Sequence, residues 1–584
     1  MQKSDLENLK SIVKPFLKDK KLILDAKSPS YETLSEQLSI FLEEISFNRK
    51  AIHPAYDPIF SHLLAYAQLD TNRCFKNYSR DYAKRFTEKF FKESLLNQNN
   101  HKEIYEEKFI RLIKKNGKIN LTANKIINSE GIFKNKILID KSFIEFLSNK
   151  TIQLIIKKTT ISDPSIEKIF TEVRKIILEA AIKDKELINN NNVQNFSLSL
   201  ATNCFFNEYS WFEAREENEN IEILEEDIYQ KMSKNKKIIP AEIFILGAYK
   251  PLYEFPKIQK GILKFEHPII KEQISNFLIE ESCIDKIKTI APIKNKISLR
   301  VKNQYEKYPY PRWNSHNRKN EKGKYINYIK KITSPELIEK DIKKILIAGC
   351  GTGRHPINIA LMDPSIDIYA LDLSKKSLAY GYRKSKEMNI SNIRWMHGDI
   401  LHLKSIKDNF DVIESIGVLH HMENPKQAFD ILTDILNPNG LLRIGLYAKS
   451  YRSRLKPVKE FLKKNKISKD LKSIQKARRL ISKSSNKEIM GNAINILDFY
   501  SSSSFIDLLM HEQELDFEIN DLIKMYEKDY NFLGFLLNPL HKQLFETTLK
   551  KIKVTENELE NWKLIEKIEK GFFSNMYQFT LQKK

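Results

Sequence analysis

Glycine and proline are scarce in this chain: 16 and 19 among 584 residues. Together with the many Leu, Ile, Phe and Lys, that shortage points to a helix-rich protein. Cysteine is scarcer still, four in all, at 74, 204, 283 and 350. No two stand at metal-ligand spacing, which argues against a zinc site or a disulfide framework and for reduced thiols in a cytosolic protein. No uninterrupted apolar run reaches about 18 residues, so no membrane span is expected. The first residues, MQKSDLENLK, lack the apolar core of a signal peptide. Charge of one sign is abundant, a formal +23. The lysines, however, are interleaved with Glu and Asp along the whole chain. We read a solvated Lys/Glu surface, with nucleic acid as the less favoured partner.

A chain this long is expected to hold more than one core. Residues 1 to 290 read as a mostly helical N-terminal region, with apolar residues three and four apart in "SIEKIFTEVRKIILEAAIKD". Asn-rich "LINNNNVQN" (187 to 195) reads as an exposed loop. From about 335 the pattern changes. "KKILIAGCG", "IDIYALDLS", "IRWMHGDIL", "FDVIESIGVL" and "GLLRIGLYA" are short apolar runs, most followed by a helical segment. That alternation predicts an α/β, Rossmann-like, doubly wound parallel sheet over residues 291 to 584. "NFLGFLL" and "MYQFTLQ" supply two more strands for seven in all, the last of them antiparallel.

The first run enters "ILIAGCGTGRHP", with Gly349, Gly351 and Gly353 at alternate positions. A pyrophosphate turn needs G-x-G-x-x-G, and Arg354 stands where its third glycine belongs; the P-loop pattern is absent too. Asp372 ends the second run, nineteen residues after Gly353, where a carboxylate can accept from both ribose hydroxyls. Asp399 follows the third run, where a carboxylate can accept from an exocyclic adenine amine. A glycine loop without a pyrophosphate turn and two such acids describe an adenosine whose 5′ end carries something other than phosphate.

Here the sequence resembles class I S-adenosylmethionine-dependent methyltransferases, over about residues 335 to 450. The resemblance implies S-adenosyl-L-methionine as cofactor. It puts Gly349, Gly351 and Gly353 under the methionine and ribose, Asp372 on the ribose and Leu373 beside the adenine. Asp399 and Ile400 would face the ring, and Ile416 would pack below the sulfonium. The family often carries an acid two residues before the first glycine; here that position is Ile347. "QYEKYPYPRW" (304 to 313), "CFFNEYSW" (204 to 211) and "DFYSSSSFIDLLMHEQE" (498 to 514) are similar to segments of a bacterial methyltransferase group, many of whose members have an N-terminal helical region. The tetratricopeptide signature of that group is absent here.

The resemblances imply a methyltransferase but leave its acceptor open; we read a small-molecule or lipid-like acceptor. A protein or RNA acceptor docked by the N-terminal half is the alternative, and a non-catalytic adenosylmethionine-binding scaffold a third reading. His420, or its neighbour His421, stands where a base is needed. Tyr305 or Arg312 is expected to hold the methionine carboxylate. His511 is expected on a helix with Glu512 and Glu514. The strongly basic stretch 450 to 487 reads as a helical insertion, and as a lid suited to an anionic acceptor.

Overall fold

The computed structural model describes residues 126, 141–313, 325–332, 341–526, 528–537, 559–568, 572–573 and 576–584. The chain divides into two compact units. One comprises residues 1–120 with 149–159, the other 121–148 with 160–584. Of the first, residues 149–159 are described, and they hold the helix Lys150–Lys158. Everything below belongs to the second. Among the described residues no helix is long and apolar enough to cross a membrane.

The second unit begins with helices. α1 (Pro164–Lys183) starts on Asp163, which accepts from the N–H groups of Ser165 and Ile166, with proline in the first turn. The Asn-rich stretch is not a loop. Lys185–Asn189 is helical, and Asn190 accepts from the N–H of Asn192 at 2.8 Å to open α2 (Asn191–Phe206). Asparagine is a strong N-cap, and Val193 and Phe196 behind the cap are fully buried. α3 (Arg215–Ser233) and α4 (Pro240–Gly247) follow. The core here encloses Arg174, which donates to the carbonyls of Phe212 and Ala248 and lies over the ring of Tyr249.

The strands are β1 (Lys288–Thr289), β2 (Lys344–Ala348), β3 (Asp367–Asp372), β4 (Ile393–His397), β5 (Phe410–Ile416), β6 (Leu436–Tyr447), β7 (Tyr530–Phe535) and β8 (Met576–Lys583). They form one sheet in the order β1-β4-β3-β2-β5-β6-β8-β7. β1 to β6 are parallel, and β8 runs antiparallel to both β6 and β7. Eight strands form among the described residues where the sequence reading expected seven. The extra one, β1, is a two-residue edge pairing Thr289 with His397, too short to leave a hydrophobic pattern. Helices α5 (Lys296–Lys307), α6 (Arg354–Met362), α7 (Lys375–Glu387) and α8 (Pro425–Asp434) accompany the sheet. Both sheet faces are buried. Ile345, Ile347 and Ile368 belong to one core, while Leu346, Ala348 and Leu371 belong to another.

Between β6 and β7 the chain makes α9 (Lys456–Lys464), α10 (Leu471–Ser482) and α11 (Ser502–Leu509) around a core of its own that includes Val458, Leu462, Ile474 and Phe505. Two arginines of this basic stretch are taken up by the helical region. Arg478 is buried, pairs with Glu167 of α1 at 2.6 Å and donates to the carbonyls of Phe499 and Ser210. Arg479 lies over the ring of Phe212 at 4.0 Å. These arginines fasten the insertion to the helical region, because a guanidinium with five donors can satisfy several carbonyls at once. Of the residues in the basic stretch 450 to 487, Arg452 lines the cavity described next.

Candidate functional site

A cavity of about 510 Å³ opens at the carboxyl ends of β2, β3, β4, β5 and β6, where doubly wound sheets bind ligands. Its floor is the turn after β2. Gly351 has φ +53°, and a Cβ there would lie 2.6 Å from the carbonyl oxygen of Tyr310. Only glycine meets both demands. Gly349 and Gly351 line the cavity. Gly353 does not; it packs under Trp395, whose ring a Cβ would meet at 2.4 Å.

Asp372 closes the turn from the side. One carboxylate oxygen accepts from the N–H of Gly351 at 2.8 Å and the other from that of Ser374 at 2.9 Å. Each oxygen keeps a lone pair. Burial pushes this carboxyl up to about 6, against the pull of those backbone donors. Asp399 is buried, and one of its oxygens accepts from the N–H of Leu401 at 3.0 Å. Its other oxygen, Oδ2, is buried with no hydrogen-bond partner. A buried carboxylate oxygen left bare is costly unless a ligand donor meets it. Leu373, Ile400 and Ile416 line the same cavity.

The proline segment straps this turn down. Thr352 donates from its N–H to the carbonyl of Tyr310 and from its hydroxyl to that of Pro311, while Trp313 donates its ring N–H to the carbonyl of Thr352. Tyr305 and Tyr310 line the cavity. Arg312 does not. It donates to the carbonyl of Phe205 at 3.1 Å, stacks on the Phe205 ring and faces Glu208 at 3.8 Å. Its contacts with Phe205 and Glu208 turn Arg312 toward "CFFNEYSW".

The histidine pair divides in the same way. His420 is fully buried outside the cavity, and its Nδ1 accepts from the backbone N–H of Tyr447 at 3.2 Å. His421 lines the cavity. Its Nδ1 lies 2.8 Å from the carbonyl of Gln513. A carbonyl only accepts, so Nδ1 carries the proton and Nε2 keeps its lone pair. Burial lowers the affinity of His421 for a second proton, opposed by Asp507. His511 lies beyond the end of α11 rather than on a helix, and its Nδ1 accepts from the N–H of Gln513 at 3.1 Å. Its proton is therefore on Nε2, which faces the hydroxyl of Tyr305 at 3.1 Å.

His421, Asp507 and His511 bring ligand atoms within 4.8 Å of one another. The tautomer of His511 argues against a metal there, since the nitrogen a metal would need carries the hydrogen. Asp507, Asp498 and Tyr447, which the sequence reading did not single out, also line the cavity. The one signal for Asp507 was an acid inside the apolar run "FIDLL".

Residues 339–513 match the family model described as a methyltransferase domain. S-adenosylmethionine is the cofactor of this domain. The chain is similar to an uncharacterized protein of Synechococcus, 28% identical over 200 residues, covering 33% of this chain and 48% of that protein. It is also similar to an uncharacterized protein of Rickettsia prowazekii, 31% identical over 150 residues, covering 25% and 56%. A demethylmenaquinone methyltransferase of Geobacillus is 35% identical over 72 residues, 12% of this chain and 31% of that enzyme. The chain spans about half the length of the first two relatives. Within the methyltransferase domain, the bare oxygen of Asp399 and the spare lone pairs of Asp372 fit an adenosine group.

Proposed function

We propose that the whole chain is an S-adenosylmethionine-dependent methyltransferase acting on a small-molecule or lipid-like acceptor. The observation that carries this reading is the unsatisfied Oδ2 of Asp399, in a cavity shared with Asp372 and the glycine turn. Asp372 would hold the ribose, Asp399 the adenine amine, and Gly349 and Gly351 would let the backbone approach the ligand. When bound, the cofactor supplies an electrophilic methyl group on a sulfonium. The protein's task is then alignment and removal of a proton from the acceptor.

For that proton His421 replaces His420 as the candidate base, because its bare Nε2 belongs to a residue of the cavity wall. His421→Ala should lower turnover about 10²- to 10⁴-fold, the usual worth of a general base, with cofactor affinity within about twofold. The lowered pKa keeps the ring neutral and competent at neutral pH, so turnover should fall only as pH drops through that lowered value. A His420→Ala variant losing turnover while His421→Ala keeps it would reverse the assignment.

Calorimetry with S-adenosylhomocysteine tests the cofactor site. Cell extract incubated with isotopically labelled methyl donor and analysed by mass spectrometry tests the acceptor. Label in low-mass products supports the proposal, and label confined to polymer points to a protein or RNA acceptor.

A further inference from the structure

One wall of the cavity carries two carboxylates, Asp498 and Asp507, and three tyrosines, Tyr305, Tyr310 and Tyr447. Asp507 accepts from the hydroxyl of Tyr305 at 2.6 Å and from that of Tyr447 at 3.4 Å. Asp498 is largely buried, and burial pushes its carboxyl up. Among the described residues its carboxylate has neither a hydrogen bond nor an ion pair. The cation of this wall is Arg452; Glu514 meets its charge, while its Nη1 is buried with no hydrogen-bond partner. It donates from Nε to Glu514 at 2.8 Å, from Nη2 to Glu514 and to the carbonyl of Leu508, and it lies over the Tyr447 ring at 4.0 Å. Lys459 closes on the same Glu514 at 3.0 Å. Asp498, Asp507 and Glu514 thus face Arg452 and Lys459, three carboxylates against two cations.

A buried excess of negative charge among aromatic faces is complementary to a cation, through both ion pairing and the ring quadrupoles. We infer that the acceptor is an amine, held as its ammonium by Asp498 and Asp507 against the rings of Tyr305, Tyr310 and Tyr447. The inference rests on the methyltransferase reading and replaces the anionic acceptor suggested by the basic stretch. That stretch presents only Arg452 to the cavity, and two of its other arginines are tied to the helical region.

The chemistry balances. The ammonium gives one proton to Nε2 of His421. The freed nitrogen lone pair forms the bond to the methyl carbon as the carbon–sulfur bond breaks, its electron pair remaining on sulfur. The products are a methylated ammonium and S-adenosylhomocysteine. Asp507 favours the protonated His421 by its charge.

The probes are adenosine derivatives in which a nitrogen replaces the sulfonium and bears the amino-acid chain and a three-carbon arm. The arm ends in an ammonium, a methyl or a carboxylate, and binding is measured by calorimetry. The ammonium arm should bind at least tenfold tighter than the methyl arm, and the carboxylate arm weakest. Asp498→Asn should shrink the ammonium preference to about threefold or less while S-adenosylhomocysteine affinity stays within about twofold, which also reports that the variant is folded. Equal binding of the ammonium and methyl arms by the natural chain, or tightest binding of the carboxylate arm, overturns the amine assignment. Failure of S-adenosylhomocysteine itself to bind overturns the methyltransferase reading instead, so the two failures are distinct.

Discussion

Glu414→Ala is expected to destabilise the protein by about 3–5 kcal/mol, the cost of breaking a buried ion pair by removing one partner. Glu414 is completely buried in the middle of the sheet, in register with Ile347 on β2 and Arg443 on β6. Arg443 reaches it at 2.8 Å and His355, in the first turn of α6, at 2.7 Å, while the hydroxyl of Tyr325 donates to its other oxygen. Without the carboxylate, the Arg443 guanidinium stays inside the sheet with only the Tyr325 oxygen and the face of Tyr328 beside it. Replacing both partners with methionine should recover much of the loss, since two apolar side chains leave no orphan charge. Urea unfolding followed by circular dichroism measures all three proteins. A single variant within about 1 kcal/mol of the natural chain would show that the pair does not hold the sheet.

The same carboxylate has a pH signature. Burial alone would raise its pKa; Arg443, His355 and their hydrogen bonds overcome that and hold it well below the ordinary value of 4.5. A depressed acid stabilises the folded state above its unfolded pKa. The contribution of Glu414 should therefore be complete above about 4.5 and drain away as pH falls below it. The Glu414→Met, Arg443→Met double variant should lose less stability over that acid range than the natural chain.

Asp372→Ala should weaken S-adenosylhomocysteine by about 30- to 150-fold, on the order of 2–3 kcal/mol for a charge-assisted pair of hydrogen bonds. Its two oxygens already hold the turn through Gly351 and Ser374, so part of the loss comes from a loosened glycine loop. pH separates the two contributions. Burial raises this carboxyl to about 6, and a raised acid is ionised only above that value. Affinity should thus rise with pH through about 6 and level off beyond it, whereas Asp372→Asn should bind weakly with little slope. Calorimetry between pH 5 and 8 reads both. Unchanged affinity in the alanine variant would remove Asp372 from the cofactor site.

Much of the sheet is legible in the sequence because doubly buried parallel strands are short apolar runs. β2 to β6 announce themselves in this way. β1 does not, since two residues carry no period. The glycine turn, Asp372 and Asp399 are legible because their spacing follows from strand ends. Arg312 and His420 were misplaced for other reasons. Arg312 is drawn away by Phe205 and Glu208, partners distant in sequence; His420 and His421 share a 3₁₀ turn, where successive side chains point about 120° apart, so a shift of one position exchanges cavity for core. The Asn run misled because residues that favour loops also begin helices. Asp498 and Asp507 could not be placed from sequence: they reach the cavity from an insertion whose path over the sheet is set by contacts such as Arg478 with Glu167.

β8 follows β7 along the chain yet lies between β7 and β6. During synthesis β7 therefore emerges before its one sheet neighbour, β8, is available. β6, twelve residues long and buried from Gly440 to Tyr447, stands at an open edge until about 130 further residues have been made. An unpaired edge of that kind is a template for pairing with other chains. The final closure is a threading of one strand into a waiting slot, a long-range and slow step. The vulnerable species in the folding of this protein should accordingly be a nearly complete sheet that lacks only its β8 strand.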